Sequence, residues 1–308
     1  MRQTISILIF GLMLMGCGSE KVSDILKVET SYLIEATELK EMITRPNIKL
    51  LDFRKPKDYI KGHIVNAVNI WRSDIDDDSY NYKGMMSKKG QIETLFGNLG
   101  IGSNDTIVVY DDNGLCNAAR LWWILQNYDF NQVKLLHGGM PAWQLIGGEV
   151  TNIVPGFAKT DFYLPQNPSM KYHFSKDDMQ SILQTGAIIL DTRTADEFSG
   201  KRQKKGASKG GRIPGGIHID WAEAIDFNGD KRIKSEEDLL SIYGTLTSDK
   251  NEMIIIYCHT GVRSAHTTFV LTQLMGYDNV KNYDGSWTEW SHFEDHPYEQ
   301  DSLTKIFK

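Results

Sequence analysis

The fold follows from one short segment, residues 254–264, which reads IIIYCHTGVRS. Its run of isoleucines followed by Tyr257 is typical of a buried β-strand, and Gly261 permits a turn with positive φ. From Ser264 to Met275 apolar residues recur at helical spacing, and Gly276 ends that pattern. The segment therefore predicts a strand, a tight loop and a helix. This is the unit of a parallel sheet flanked by helices, in which functional sites lie at the carboxyl ends of the strands.

Cys258 is the first residue of this loop, and its setting favours a thiolate. Backbone N–H groups of a tight loop that leads into a helix can point inwards and hold an anion. Arg263 adds a permanent positive charge. Both effects lower the pKa of a thiol, and a cysteine held as a thiolate is an activated nucleophile. We therefore predict a catalytic nucleophile at Cys258. The alternative is a buried, inert cysteine at a strand end, which leaves Gly261 and Arg263 unexplained.

The pattern around this segment occurs twice in the chain. Four pairs of segments follow in the same order at offsets of 139, 149, 147 and 147 residues: 48–54 with 187–193, 62–70 with 211–219, 106–111 with 253–258, and 133–143 with 280–290. An insertion rich in lysine and glycine, residues 200–210, accounts for the change in offset and predicts a flexible loop. We expect two homologous domains at residues 28–150 and 169–300, joined by an extended linker at 151–168 that carries three prolines.

Four landmarks of the second copy resemble those of the rhodaneses. They are Cys-x-x-Gly-x-Arg at 258–263 between a strand and a helix, Asp191-Thr192-Arg193, GRIPG at 211–215, and Asp284-Gly285-Ser286 with Trp290. The tandem arrangement resembles the two-domain thiosulfate and 3-mercaptopyruvate sulfurtransferases over nearly the whole chain after residue 16.

This resemblance implies an α/β fold of two rhodanese-like domains, each a parallel sheet flanked by helices. It also implies a sulfurtransferase in which Cys258 takes a sulfane sulfur from thiosulfate or 3-mercaptopyruvate, becomes a persulfide, and passes the sulfur to a thiol or to cyanide. No cofactor and no metal ion are expected for this chemistry.

The resemblance also places the sulfur donor at the loop. The expected substrate-binding residues are His259, Thr260, Gly261, Val262 and Arg263, together with Arg193. Two of them have an alternative: Arg193 could be a structural ion-pair partner, and His259 could be an ordinary exposed histidine.

One departure from the family concerns the recognition of an anionic donor. Two-domain members often carry a second donor-binding arginine four residues after the arginine of the Asp-x-Arg motif, and this chain has Glu197 there. The cations of the insertion could take over that role or could lie on a solvated loop face; they are Lys201, Arg202, Lys204 and Lys205.

The first copy of the loop is degenerate. Asp111 takes the place of Cys258, Gly114 keeps the turn, and Cys116 stands where the second copy has Arg263. A carboxylate in place of the nucleophile would repel a thiolate or an anionic donor. We therefore expect an inactive first domain. Cys116 is then a small loop residue, with a second reactive thiol or a sulfur relay as alternatives.

The N-terminus has the layout of a targeting segment. Residues 1–16 combine a basic start with an apolar run from Ile5 to Met15, which is too short to span a bilayer. A cysteine directly after a small residue, here Cys17, resembles the lipobox of bacterial lipoproteins. We expect a signal peptide at 1–16, lipid attachment at Cys17, and a polar tether at 17–27. The protein would then be anchored in the cell envelope, on the periplasmic side, by its lipid alone.

Composition excludes several other classes. The 308 residues are 41% hydrophobic and 24% charged, which is typical of globular domains, and the net charge of −6 provides no broad basic surface for nucleic acid. Three cysteines are too few for a disulfide scaffold. The spacing within the loop argues against a tyrosine phosphatase, because four residues separate Cys258 from Arg263 and tyrosine phosphatases have five.

Two alternatives to the enzyme stay open. One is a non-catalytic persulfide carrier, and the other is a surface lipoprotein with a vestigial site.

Residues 226–237 resemble a calcium loop in part. Asp226, Asn228, Asp230 and Glu237 occupy ligand positions of an EF-hand, but the position that requires glycine holds Lys231. Ser235 followed by Asp238 also predicts the start of a helix, because a serine hydroxyl caps the first turn.

Overall fold

A computed structural model describes residues 30–301. The signal peptide, Cys17 and the tether predicted from the sequence lie outside the described residues. Within the part of the chain that is described, no helix combines the length and apolar character needed to cross a membrane.

The first domain alternates strands and helices as predicted. Its strands are β1 (Leu33–Ile34), β2 (Ile48–Asp52), β3 (His63–Ile64), β4 (Val68–Asn69), β5 (Thr106–Tyr110), β6 (Val133–Leu136) and β7 (Val150–Thr151). Its helices are α1 (Ala36–Met42), α2 (Pro56–Lys61), α3 (Lys89–Asn98), α4 (Cys116–Asn127) and α5 (Gly139–Leu145), with a 3₁₀ turn at Arg72–Asp74.

The second domain repeats this alternation. Its strands are β8 (His173–Phe174), β9 (Ile188–Asp191), β10 (Ile217–His218), β11 (Ile254–Tyr257) and β12 (Val280–Tyr283). Its helices are α6 (Lys176–Ile182), α7 (Ala195–Phe198), α8 (Glu236–Tyr243), α9 (Val262–Phe269) and α10 (Ser286–His292), with a 3₁₀ turn at Trp221–Ala224 and a π-helical segment at Val270–Leu274.

The two main sheets have the same topology. The first runs β1-β6-β5-β2-β4 and the second β8-β12-β11-β9-β10, and all neighbours in both sheets are parallel. β5 and β11 are the central strands, so the loop that follows each of them opens at the middle of its sheet. The predicted α/β fold, with one parallel sheet in each of two similar domains, is confirmed.

Helix capping agrees with the sequence at two ends. The Ser235 hydroxyl accepts the N–H of Asp238 and begins α8, as predicted. The helix expected from Ser264 to Met275 begins slightly earlier, at Val262, and changes to π-helical geometry after Phe269. This region stays helical up to Gly276, whose φ of +68° ends it.

The domains share one apolar core. Every residue of α4 is buried, and the helix packs against α9 of the other domain. The Trp122 ring meets the Phe269 ring edge-on, with centroids 4.9 Å apart. Because α4 and α9 each begin at a domain's central loop, their packing brings the active-loop position of one domain close to that of the other.

Each domain also covers the other with a hairpin. In the first hairpin, residues 76–86, Asp76 bridges to Met86; in the second, residues 225–233, Ile225 bridges to Ile233. The first hairpin reaches the Cys258 loop. A Cβ on Gly84, whose φ is +102°, would lie 2.5 Å from Cβ of Thr260, so only glycine fits there.

The linker between the domains is anchored rather than free on the surface. No helix or strand is assigned between residues 152 and 172. Phe162 is nevertheless buried and meets Phe96 edge-on at 4.9 Å, and the N–H of Thr160 donates to the carbonyl of Gly97.

Candidate active site

Cys258 lies at the carboxyl end of β11, and its thiol points into the loop that follows. Its Sγ accepts a hydrogen bond from the Ser264 hydroxyl at 3.3 Å, and the N–H groups of Thr260 and Ser264 face the sulfur as well. The residue is only 1% exposed. The loop therefore surrounds one sulfur atom with hydrogen-bond donors.

A second serine holds the loop in shape. The Ser286 hydroxyl accepts the N–H groups of Cys258 at 3.1 Å and Gly261 at 3.0 Å, and it donates to the Tyr283 carbonyl at 2.8 Å. Ser286 follows β12, the neighbour of β11, and has a φ of +51°. Because the Gly261 N–H donates to Ser286, it stabilises the shape of the loop and is not a donor to the thiol. The Asp-Gly-Ser landmark was the sequence signal for this contact, but the role of the serine was missed.

Opposing effects act on the pKa of Cys258. Burial raises it, while the charge of Arg263, the Ser264 hydroxyl, and the N–H groups of Ser264 and Thr260 lower it. The net pKa is below that of an ordinary cysteine, so the loop favours the thiolate.

Glu197 balances the charge of Arg263. The sequence indicates only that Glu197 stands where two-domain relatives often carry a second arginine. Its guanidinium donates to both carboxylate oxygens of Glu197, at 2.7 and 2.9 Å, and Glu197 is 3% exposed. Burial raises the pKa of Glu197, but the hydrogen bonds and charge of Arg263 outweigh it and bring the pKa to about 2. Glu197, at the family's second-arginine position, is thus the ion-pair partner of Arg263, and this fork-to-fork geometry fixes where the guanidinium lies.

Arg193, one of the predicted substrate-binding residues, is held in a buried ion pair. Its side chain is buried, and its guanidinium is bound to Asp191, with Nε to Oδ1 at 2.9 Å, and to the Gly211 carbonyl at 2.7 Å. It also stacks over the Trp287 ring at 4.8 Å. Arg193 therefore makes the ion pair that was the alternative interpretation of this residue, and a contact with substrate stays a prediction.

The other loop residues differ in what they offer a substrate. Thr260 is half-buried at the loop rim, whereas Val262 is packed in the apolar core and Gly261 makes only structural hydrogen bonds. His259 is buried, so the alternative of an exposed histidine is wrong. Its Nε2–H donates to the Lys205 carbonyl at 3.0 Å. Burial and the charge of Lys204 lower the pKa of His259 to about 4, so the ring is neutral at pH 7.

The lysine-rich insertion folds against the catalytic loop through its backbone. Besides the Lys205 carbonyl at His259, the Lys209 carbonyl accepts the indole N–H of Trp287 at 2.9 Å. The Lys204 side chain is exposed, and its pKa is lowered by desolvation and by the charge of Arg263. Of the four cations considered from the sequence, Lys204 is the one whose charge acts on both Arg263 and Cys258.

In the first domain, the corresponding loop holds the side chain of Asp111 in place of a thiol. The Asp111 carboxylate accepts the N–H groups of Asn113, Leu115, Asn117 and Ala118 at 2.8 to 3.2 Å. This loop keeps the inward-facing N–H groups, and its own Asp111 side chain is their acceptor. Cys116, at the start of α4, is buried, and burial raises its pKa to about 12. A neutral thiol with this pKa fits the interpretation of Cys116 as a small packing residue.

The partial calcium loop is part of the second hairpin and contacts the first domain. Arg232 pairs with Glu35 at 3.1 Å, and the N–H of Ile233 donates to Nε2 of His137 at 3.2 Å. The Asp226 carboxylate accepts the N–H of Gly229. Among residues 30–301 no group of three or more carboxylate, histidine or cysteine side chains is placed to hold a metal ion.

Comparison with known proteins identifies the family. The model of the rhodanese-like domain matches residues 35–145 and 175–293. This chain belongs to the rhodanese-like family. It is 32% identical to a thiosulfate sulfurtransferase of Corynebacterium glutamicum over 290 residues, which cover 89% of this chain and 92% of that protein.

Solved structures share the fold of this tandem rhodanese. The crystal structure of the 3-mercaptopyruvate sulfotransferase SseA from Escherichia coli matches with a TM-score of 0.73 and 26% identity, over 84% of this chain and 99% of that one. An anaerobic ergothioneine biosynthesis enzyme from Chlorobium limicola matches with a TM-score of 0.75 and 21% identity, over 88% of this chain and 70% of that one.

The effect of Arg263 on the Cys258 pKa can be measured separately from the effect of its ion pair with Glu197 on stability. In Arg263→Gln we expect the pKa of Cys258 to rise, because a positive charge is lost, and the free energy of unfolding to fall by about 3–5 kcal/mol, because Glu197 remains buried without its partner. The double variant R263Q/E197Q should regain most of that stability while the pKa of Cys258 stays raised. The pH dependence of Cys258 alkylation and urea unfolding measure the two effects. A Cys258 pKa in both variants that is unchanged from the wild-type value would contradict this assignment.

Proposed function

We propose that this protein is a sulfurtransferase whose single nucleophile is Cys258. The observation that carries the proposal is the set of donors around one sulfur atom: the Ser264 hydroxyl, two loop amides and the nearby Arg263. Such a set stabilises negative charge on sulfur both before and after transfer. Membership of the rhodanese-like family and the relatives named as sulfurtransferases support the same chemistry.

The reaction has two balanced steps. The Cys258 thiolate attacks the outer sulfur of the donor, the donor's bond to that sulfur breaks, and the leaving group keeps the electron pair; for thiosulfate this group is sulfite. The acceptor, a thiolate or cyanide, then attacks the outer sulfur of the persulfide, and the Cys258 thiolate leaves. Because the thiolate and the persulfide anion carry the same charge, the net charge of the protein is the same before and after each step.

The charge around the loop favours an anionic donor, and we propose thiosulfate. Arg263 is 13% exposed at the rim, Lys204 lies beside it, and Arg72 of the first domain acts electrostatically on Lys204. Arg72 is held by Asn117, with Nε to Oδ1 at 2.9 Å. Because Glu197 balances the charge of Arg263, Lys204 and Arg72 supply the net positive charge that would draw in a compact dianion. 3-Mercaptopyruvate, which carries one carboxylate, is the competing donor.

Persulfide formation tests the nucleophile. After incubation with thiosulfate, wild-type protein should carry one added sulfur on the peptide that contains Cys258. Cys258→Ser should carry none and should lose turnover to cyanide, because no other described thiol is activated. Cys116→Ser is the matched control and should load normally. Turnover in C258S would contradict the assignment, and a single loading event without turnover in wild type would indicate a carrier rather than an enzyme.

Lys204 tests the choice of donor. In Lys204→Met we expect KM for thiosulfate to rise about fivefold with little change in kcat, since an exposed charge contributes up to about 1 kcal/mol to binding. Lys201→Met, which removes an exposed lysine paired with Asp196 at 3.5 Å, is the control and should leave KM unchanged. A larger kcat/KM for 3-mercaptopyruvate than for thiosulfate in wild type would contradict the proposed donor.

The lipid anchor is a separate proposal that rests on residues 1–17. Lipid on Cys17 would hold the two domains at the periplasmic face of a membrane. Cells expressing the full chain and fed a labelled fatty acid should label wild type but not Cys17→Ser, which should move to the soluble fraction. Equal labelling of both proteins would exclude Cys17 as the site of attachment.

A further inference from the structure

Arg120, in helix α4 of the first domain, places a buried charge against the active loop of the second. Its side chain is 2% exposed and stacks over the Trp123 ring at 4.6 Å. Its Nη2 donates to the Gly84 carbonyl at 2.8 Å and to Oδ1 of Asp284 at 2.6 Å, and its Nη1 donates to the Gly261 carbonyl at 3.4 Å. Two of these three partners belong to the other domain, so the guanidinium joins the domains at the Cys258 loop.

Asp284 neutralises this charge and links it to the rest of the loop's support. Its Oδ2 accepts the N–H of Met86 at 2.9 Å, which fixes the first hairpin. Asp284 also stands two residues before Ser286, whose hydroxyl holds the N–H groups of Cys258 and Gly261. Burial raises the pKa of Asp76, a further acid of the same hairpin, and the charge of Arg120 opposes that rise.

Gly261 is the residue through which Arg120 can influence the thiol. It has a φ of +71°, and a Cβ there would lie 2.7 Å from Nη1 of Arg120, so the guanidinium is packed directly on the turn. Its N–H is bound to Ser286, and its carbonyl accepts from Arg120, from Asn282 at 3.1 Å and from the N–H of Ala265 at 3.2 Å. Glycine rotates freely unless the peptide groups on both sides of it are held, and here each of them is. These two peptide groups lie between Thr260 and Ser264, whose N–H groups face Cys258.

We propose that Arg120 is a positioning residue for the active loop: by holding the Gly261 carbonyl and Asp284 it keeps the loop amides aimed at Cys258. The inactive domain then contributes to catalysis through this contact. Arg120 touches neither the thiol nor the space beside it, and it acts through Gly261 and Asp284. This inference rests on the proposed nucleophile, but its test does not require sulfur transfer.

The test uses Arg120→Lys, which keeps the charge beside Asp284 but lacks the planar fork needed to reach both carbonyls. The matched control is Arg54→Lys. Arg54 is also a buried arginine of the first domain, bound to Asp52 and to the Gly62 carbonyl at 2.7 Å. Both variants should lose thermal stability. Only R120K should raise the midpoint of the pH dependence of Cys258 alkylation, by about one pKa unit, which slows alkylation about tenfold at a pH below both midpoints.

Hydrogen exchange provides a second measurement. Amides of residues 259–264 should exchange faster in R120K than in R54K at equal loss of stability. Should R120K fail to fold, R120M/D284N removes both buried charges together and should show the same alkylation defect. A Cys258 midpoint and loop protection equal to those of the control would overturn the proposal and leave Arg120 a purely structural residue. Failure of wild type to load sulfur would count against the proposed function alone.

Discussion

The site depends on one constraint: the tight loop after each central strand turns backbone N–H groups inwards, and buried N–H groups require acceptors. In the first domain the Asp111 carboxylate meets this requirement with four hydrogen bonds. In the second domain the acceptor is the sulfur of Cys258. The same loop geometry therefore holds an aspartate side chain in one copy and favours an ionised thiol in the other. The two copies of the loop therefore differ in the group that accepts these N–H groups, which is a carboxyl group in the first domain and a reactive thiol in the second.

Burial then determines how the charges are arranged. A guanidinium beside a nearly inaccessible sulfur needs a partner, and Glu197 provides one with both oxygens. The pair fixes Arg263 where its charge lowers the pKa of Cys258. The same logic explains Arg193 with Asp191 and Arg120 with Asp284, which are likewise buried pairs. Lys204 differs because it is exposed, so its charge can act on an incoming anion.

Local sequence patterns predicted the parts of this structure that local interactions decide. The isoleucine strand, the Gly261 turn, the helix after it and the Ser235 cap all follow from residues close together in the chain. The internal repeat predicted two like domains and a degenerate first loop. What the patterns left open was settled by contacts between distant residues. Whether Arg193 binds substrate or Asp191 depends on its burial under α10, and the burial of His259 depends on how the insertion folds back.

The residues missed by sequence reasoning share this long-range character. Glu197 lies 66 positions from Arg263, and Arg120 lies 164 positions from Asp284. Only the packing of α4 on α9 brings the second pair together. Ionisation of the Cys258 thiol by its loop can be tested most directly by ultraviolet absorbance of the thiolate as a function of pH. The signal is the difference between wild-type protein and a variant without that thiol. We predict a midpoint below the value of about 8.5 for an ordinary cysteine. A midpoint at or above that value would contradict the claim that the loop ionises its sulfur.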